Sequence, residues 1–220
     1  MRLAAFDFKS LKKDIFGEVS LRNDEAGLRV VRDASRARPW ARWLARRLLA
    51  REARALATTN GIAGIPELLR VDADTLQRSW IAGEPMQESR PTDIGYFRAA
   101  AKLLRQLHRQ DVVHNDLAKE PNWLVMENGQ PGIIDFQLAW YSPKRGRLFR
   151  LLAREDVRHL LKHKRTYCPE HLTAREHAIL ARPTVPSRIW MRGGKPVYLF
   201  ITRRILGWAD REGASDRTGY

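Results

Sequence analysis

A chain of 220 residues is long enough to bury a sizeable core, as one domain or as two small lobes. Its 40 Lys and Arg against 25 Asp and Glu leave a net charge of +15, which favours polyanionic surroundings (nucleic acid, anionic lipid or phosphorylated glycan) without choosing among them. The single cysteine, Cys168, excludes an internal disulfide and a cysteine-rich zinc site, and the longest late apolar run, Val197 to Ile201, is far too short to span a bilayer. The segment from Met1 to Lys9 lacks the apolar core of a secretory signal, so a cytoplasmic location is expected, with a peripheral contact at the inner membrane face left open.

Residues 6 to 33 read as short strands: Ile15 to Leu21, a polar turn at Asn23 to Gly27, then Leu28 to Arg32. Pro39 suits the first turn of a helix running to about Ala57. At about 100° per residue, Ala41, Leu44, Leu48, Ala55 and Leu56 share one face. Glu52 falls inside that apolar arc, and the arginines at 42, 46, 47, 51 and 54 spread over the rest. A carboxylate on a buried face needs a cationic partner, because desolvating it unpaired is costly. Trp40 and Trp43 point among the arginines, a surface suited either to anionic lipid or to covering another part of the protein.

Breakers between Gly61 and Asp74 surround a short strand at Leu68 to Val71, Thr75 to Ile81 forms another, and Ala82 to Pro85 a turn. Thr92 or Asp93 caps a helix to about Arg109, with Tyr96, Phe97, Ala100, Leu103, Leu104 and Leu107 on its apolar side. Beyond Phe136 the chain is basic and largely helical to about His163, and Thr173 caps a further short helix. Pro196 to Trp208 mixes aromatics with Arg203 and Arg204, suited to packing or to membrane contact.

Between these helices, Val112 to Phe136 holds His114, Asp116, Lys119, Asn122 and Asp135. Asn128-Gly129 between two mostly apolar runs predicts a two-residue hairpin turn. Folding about it sets Leu124 against Ile133, Trp123 against Ile134 and Asn122 against Asp135. Strands lie roughly 5 Å apart, so that amide and carboxylate would share one small hard cation, with Asp116 arriving at the same edge. Pro131 cannot donate to a ladder and would confine its strand to an edge.

His-x-Asp, then Asn, then two apolar residues and Asp-Phe is an order that resembles the catalytic loop and metal-binding segment of protein kinases. The resemblance implies a two-lobed α+β protein-kinase-like fold: residues 1–82 as a small antiparallel sheet with one helix, and residues 83–220 as a larger helical lobe. It implies ATP and Mg²⁺ as cofactors, Asp116 as the base or hydroxyl-orienting residue, Asn122 and Asp135 as metal ligands, and His114 as a brace of the loop. Lys119 would reach a γ-phosphate or the acceptor, or simply face solvent.

In the same reading Phe16-Gly17-Glu18-Val19 resembles the last half of the glycine-rich phosphate loop, Arg32 takes the place of the phosphate-pairing Lys, and Glu52 pairs with it. Plainer alternatives are a turn Gly17, a solvated Arg32 and a Glu52 bound to a helix neighbour. Ser79-Trp80-Ile81 would be the interlobe connection whose backbone binds adenine. Asp156 resembles the buried Asp that steadies the catalytic loop, against a surface Asp as the alternative. The departures are a loop one residue longer than usual, Gln137 where Gly is common, Asn115 in place of an Arg, and Arg32 in place of Lys.

Taken together the chain is similar to compact atypical bacterial kinases, of the RIO-like serine/threonine and lipopolysaccharide Kdo/heptose types. The acceptor implied is a protein Ser or Thr hydroxyl, with a lipopolysaccharide-core sugar as the rival and a basic pseudokinase scaffold as a further reading. Nucleic acid ranks below these, because no recognisable nucleic-acid-binding motif accompanies the charge.

Overall fold

A computed structural model of the chain describes residues 8–24 and 27–181. By internal contacts the chain divides into Met1–His177 and Ala178–Tyr220, and all that follows concerns the first unit. The expectations for Val197 to Ile201 and Pro196 to Trp208 lie outside the described residues. The architecture is mixed α+β, an antiparallel sheet followed mostly by helices.

Five strands, β1 (Phe8–Asp14), β2 (Gly17–Asp24), β3 (Gly27–Asp33), β4 (Leu68–Val71) and β5 (Thr75–Ser79), form an antiparallel sheet in the order β1-β2-β3-β5-β4. β1 was only implicit in the sequence, because its charged and exposed residues carry no apolar alternation. It is held by the turn at Ile15 and Phe16, where the Asp14 carboxylate accepts from Phe16 N at 2.8 Å. Gly17 follows at φ +124, and a Cβ there would lie 2.1 Å from the Asp33 carbonyl oxygen, so neighbouring backbone occupies the space of any side chain.

After a 3-10 turn at Pro39–Ala41, α1 (Arg42–Thr58) buries Ala45, Leu49, Glu52, Ala53, Ala55 and Leu56. Leu44 and Leu48, expected on the buried face, are only partly covered, so that face is rotated by one residue from the expected arc. The rotation matters because it carries Glu52 from a place within the arc to the middle of the stripe 45, 49, 52 and 56.

β6 (Glu84–Pro85) and α2 (Met86–Ser89) precede α3 (Ile94–Arg109), which Asp93 caps by accepting from Gly95 N at 2.8 Å. Its buried residues are the six expected from the 3.6-residue period. β7 (Val112–Val113) leads into the loop of interest, followed by β8 (Trp123–Val125), β9 (Pro131–Ile133) and β10 (Trp140–Tyr141). β6, β8 and β9 form a small sheet with the Pro131 strand at its edge, and β10 pairs with β7. α4 (Arg147–Tyr167) packs on α3, and α5 (Ala174–Ala181) starts with a reciprocal cap between Thr173 and Glu176. One buried cluster runs from Leu49 and Leu56 through Leu104, Trp123, Ile133 and Phe136 to Leu160.

Candidate active site

The loop after β7 is anchored by one carboxylate. Asp156, fully buried on α4, accepts from His114 N at 2.8 Å and Asn115 N at 3.0 Å, and lies 3.2 Å from His108 Nε2. The expected alternative of a surface Asp156 is thereby corrected. With those backbone groups fixed, Asn115 holds a left-handed conformation at φ +65 and its amide donates to Leu138 O at 3.0 Å.

His114 is fully buried. Its Nε2 lies 3.0 Å from Ile134 O and its Nδ1 lies 3.4 Å from Asp116 N, an arrangement satisfied by the neutral ring with the proton on Nε2. Burial pushes its pKa below the ordinary histidine value, opposed by Asp156, Asp135 and Asp116. The ring also packs edge-on to Phe136 at 4.8 Å. His114 thus ties the Asp116 backbone to the residue preceding Asp135, the bracing role the sequence suggested, and it has no access to a substrate.

Asp116 and Asn122 are in contact: Asn122 Nδ2 donates to Asp116 O at 2.9 Å and to its carboxylate at 3.2 Å. Lys119 Nζ meets the same carboxylate oxygen at 2.8 Å. Of the two settings foreseen for Lys119, it combines an exposed ammonium with a direct contact to the proposed base.

The hairpin register differs from expectation by one residue. Trp123 pairs with Ile133 and Val125 with Pro131, and Ile134 N donates to Asn122 O at 3.0 Å. Asn122 therefore faces Ile134 rather than Asp135. The cause is the turn: Gly129 N donates to Met126 O, and Gly129 takes φ +73, so Glu127, Asn128 and Gly129 form a three-residue loop with a left-handed third position. Asp135 falls one residue past the ladder and adopts φ +64, ψ +68, which ends the strand. Such a conformation is strained for a residue with a Cβ and occurs chiefly where surroundings enforce it.

What meets Asp135 is Arg32. Its Nη2 lies 3.6 Å from Asp135 Oδ1, while its Nε lies 3.1 Å from Glu52 Oε2. The paired setting of Glu52 with Arg32 is the one observed, and Glu52 is completely buried. Arg78, on β5, lies 3.4 Å from the other Glu52 oxygen through its Nε. These are ion pairs rather than aligned hydrogen bonds, and Glu52 Oε1, Glu52 Oε2 and Asp135 Oδ1 all lack a hydrogen-bonded partner. Burial lowers the Arg78 pKa, and Glu52 opposes that shift. Gln137 also meets Arg32: with its amide turned oxygen-inward it accepts from Arg32 Nη2 at 2.9 Å.

A pocket of about 30 Å³, room for one water, lies under the Gly17 turn between Arg32 and Asp135. Gly17 and Val19 both line it, with Lys12 and Gln137. Trp80 and Ile81 lie between β5 and β6 and do not line it. Trp80 N donates to Leu28 O at 3.3 Å, so that one N–H of the Ser79-Trp80-Ile81 segment, expected to bind adenine through its backbone, is already engaged.

Three contributors escaped the sequence reading. Arg78 shares the buried face of β5 with Leu76 and looks like an ordinary strand cation until Glu52 is placed beside it. Gln137 had been noted only as a departure. Arg51 was placed only outside the apolar arc of α1; it donates to Leu138 O and Ala139 O, fixing the segment after Asp135 to the helix that carries Glu52. Of these groups Arg32, Asp135 and Gln137 line the pocket, a guanidinium, a carboxylate and an amide, donor types suited to a polyanion and a hard cation. No protein-family model and no curated protein matches this chain.

Proposed function

We propose that the chain is a two-lobed, kinase-like phosphotransferase that uses ATP and Mg²⁺ to phosphorylate a hydroxyl, nominally a protein serine or threonine as in the RIO-like kinases. The observation that carries the reading is Arg32 in contact with both buried Glu52 and Asp135 beneath the Gly17 turn. It sets a cation suited to phosphate beside a carboxylate suited to a metal.

The donor set fits Mg²⁺. Asp135 has a buried, unpartnered oxygen, and Asn122 turns its nitrogen to Asp116, leaving its amide oxygen to serve as a ligand. When bound, the cation would neutralise phosphate charge between Asn122 and Asp135. Asp116 would take the proton of the attacking hydroxyl as its oxygen bonds to the γ-phosphorus and the bond to the β–γ bridging oxygen breaks, releasing ADP. Lys119, in contact with Asp116, would reach a γ-phosphate oxygen or the acceptor.

One surface favours the second reading, a lipopolysaccharide-core sugar acceptor at a membrane face. Trp40 and Trp43 are 56% and 60% exposed, with Arg47 stacked 5.6 Å from the Trp43 ring. Among the described residues no helix is long and apolar enough to cross a membrane.

The test is incubation with Mg²⁺ and γ-labelled ATP against separate protein and core-glycolipid fractions. Labelled protein is expected, with transfer by Asp116→Ala reduced by about 10²-fold or more. Label on glycolipid alone would reverse the order of acceptors, and transfer indifferent to Asp116→Ala would remove that residue from its role.

A further inference from the structure

We infer that Arg78 is a positioning residue that keeps Glu52 neutralised while Arg32 moves from Asp135 to a phosphate, so that cation binding and nucleotide binding are coupled. The inference rests on the phosphotransfer reading above and adds a residue to it.

Glu52 is wholly buried, and a buried carboxylate stripped of every cation is strongly destabilising. Were Arg32 its only partner, pulling Arg32 toward a polyphosphate would expose that penalty. The two Glu52 oxygens are instead divided, Oε2 to Arg32 and Oε1 to Arg78. Arg78 is well suited to remain: it is 8% exposed, and it sits on β5, flanked by β3 and β4.

Arg32 is suited to leave. Its hold on Asp135 is long, at 3.6 Å, and departure would break no hydrogen bond at either Glu52 oxygen or at Asp135 Oδ1, although the Gln137 amide would lose its bond from Nη2. Arg32, Arg78, Glu52 and Asp135 balance to zero net charge as a set, and two of them, Arg32 and Asp135, line a pocket the size of one water. A divalent cation on Asp135 removes the reason for Arg32 to stay there, and the freed guanidinium becomes available to phosphate oxygens. Metal and nucleotide then strengthen each other, a coupling that works in both directions.

The experiment uses the full chain and measures ATP dissociation constants with and without Mg²⁺, by calorimetry, for wild type, Arg78→Gln and Arg78→Lys. Gln keeps a hydrogen-bond donor to Glu52 while removing the charge, and far-ultraviolet circular dichroism identifies the folded chains. In Arg78→Gln the gain in ATP affinity conferred by Mg²⁺ is expected to shrink by on the order of tenfold. Arg78→Lys should restore most of the gain. A folded Arg78→Gln with the wild-type gain overturns the inference while leaving the phosphotransfer reading intact. A wild-type chain that binds no Mg-ATP overturns that reading and this inference together.

Discussion

The two halves of the candidate site are held by different kinds of contact. In the loop from His114 to Asn122, polar groups meet at hydrogen-bond distances of 2.8 to 3.4 Å: both Asp156 oxygens, both His114 ring nitrogens and the Asn122 amide nitrogen, with Asn115 Oδ1 the exception, buried without a hydrogen bond. Around Arg32, Glu52, Arg78 and Asp135 the contacts are ion pairs at 3.1 to 3.6 Å, and three carboxylate oxygens have no hydrogen bond. Satisfied buried networks are rigid, whereas unsatisfied buried charge is costly and waits for a partner. The first half is therefore preorganised, and the second is arranged to change partners when a cation and an anion arrive.

That contrast can be broken most directly at Asp156. Replacing it by Ala orphans two buried N–H groups and the His108 contact, and about 3–5 kcal/mol of stability should be lost by urea unfolding. A loss below about 1 kcal/mol would mean that the loop half is not the rigid one.

Acid acts on the same packed half. Burial holds the pKa of His114, His159 and His163 below the ordinary value, that of His159 at about 4. Between pH about 6.5 and 4 the unfolded chain therefore binds more protons than the folded one. Stability present above pH about 6.5 should decline as pH falls through that window, His159 contributing at most about 3 kcal/mol. Denaturant midpoints measured across the window check the sign, and a rise on acidification would contradict it.

On the other side of the pocket, Gly17→Ala must move either the turn or Asp33, at about 1–3 kcal/mol and with weakened Mg-ATP binding. The smallest stability change belongs to Asp135→Asn. Asn tolerates a left-handed backbone, and only a long ion pair is lost, so unfolding should shift by no more than about 1 kcal/mol while labelled phosphate transfer disappears. A larger loss of stability would show that Asp135 is part of the scaffold rather than a site waiting for a cation.

Much of this site was legible because its signals are local. The spacing of His114, Asp116, Asn122 and Asp135 is written in one segment, and the period of α3 yielded its six buried residues. A charged residue on an apolar helical face demands a cation, and it was the kinase resemblance that named Arg32 as the partner of Glu52. Arg78 could not be anticipated, since a strand shows only alternation, and alternation does not say which cation reaches which carboxylate. The hairpin register also resisted, because Asn128-Gly129 fits a two-residue turn or the last two positions of a three-residue loop. Tertiary contacts favour the latter: Ile133 N donates to Gly64 O at 2.8 Å, and the small Gly132 packs against Ile81 and Leu124.

The sequence by itself determined which side chains are available, the buried face of α3, and that a hairpin lies between Asn122 and Asp135, because periodicity and turn chemistry act over a few residues. Only the tertiary structure decided that Asp156 holds the loop, that Asp135 turns left-handed toward Arg32, and that Glu52 has two counter-ions. Those outcomes depend on burial and on distances between segments far apart in the chain, which residue spacing does not encode.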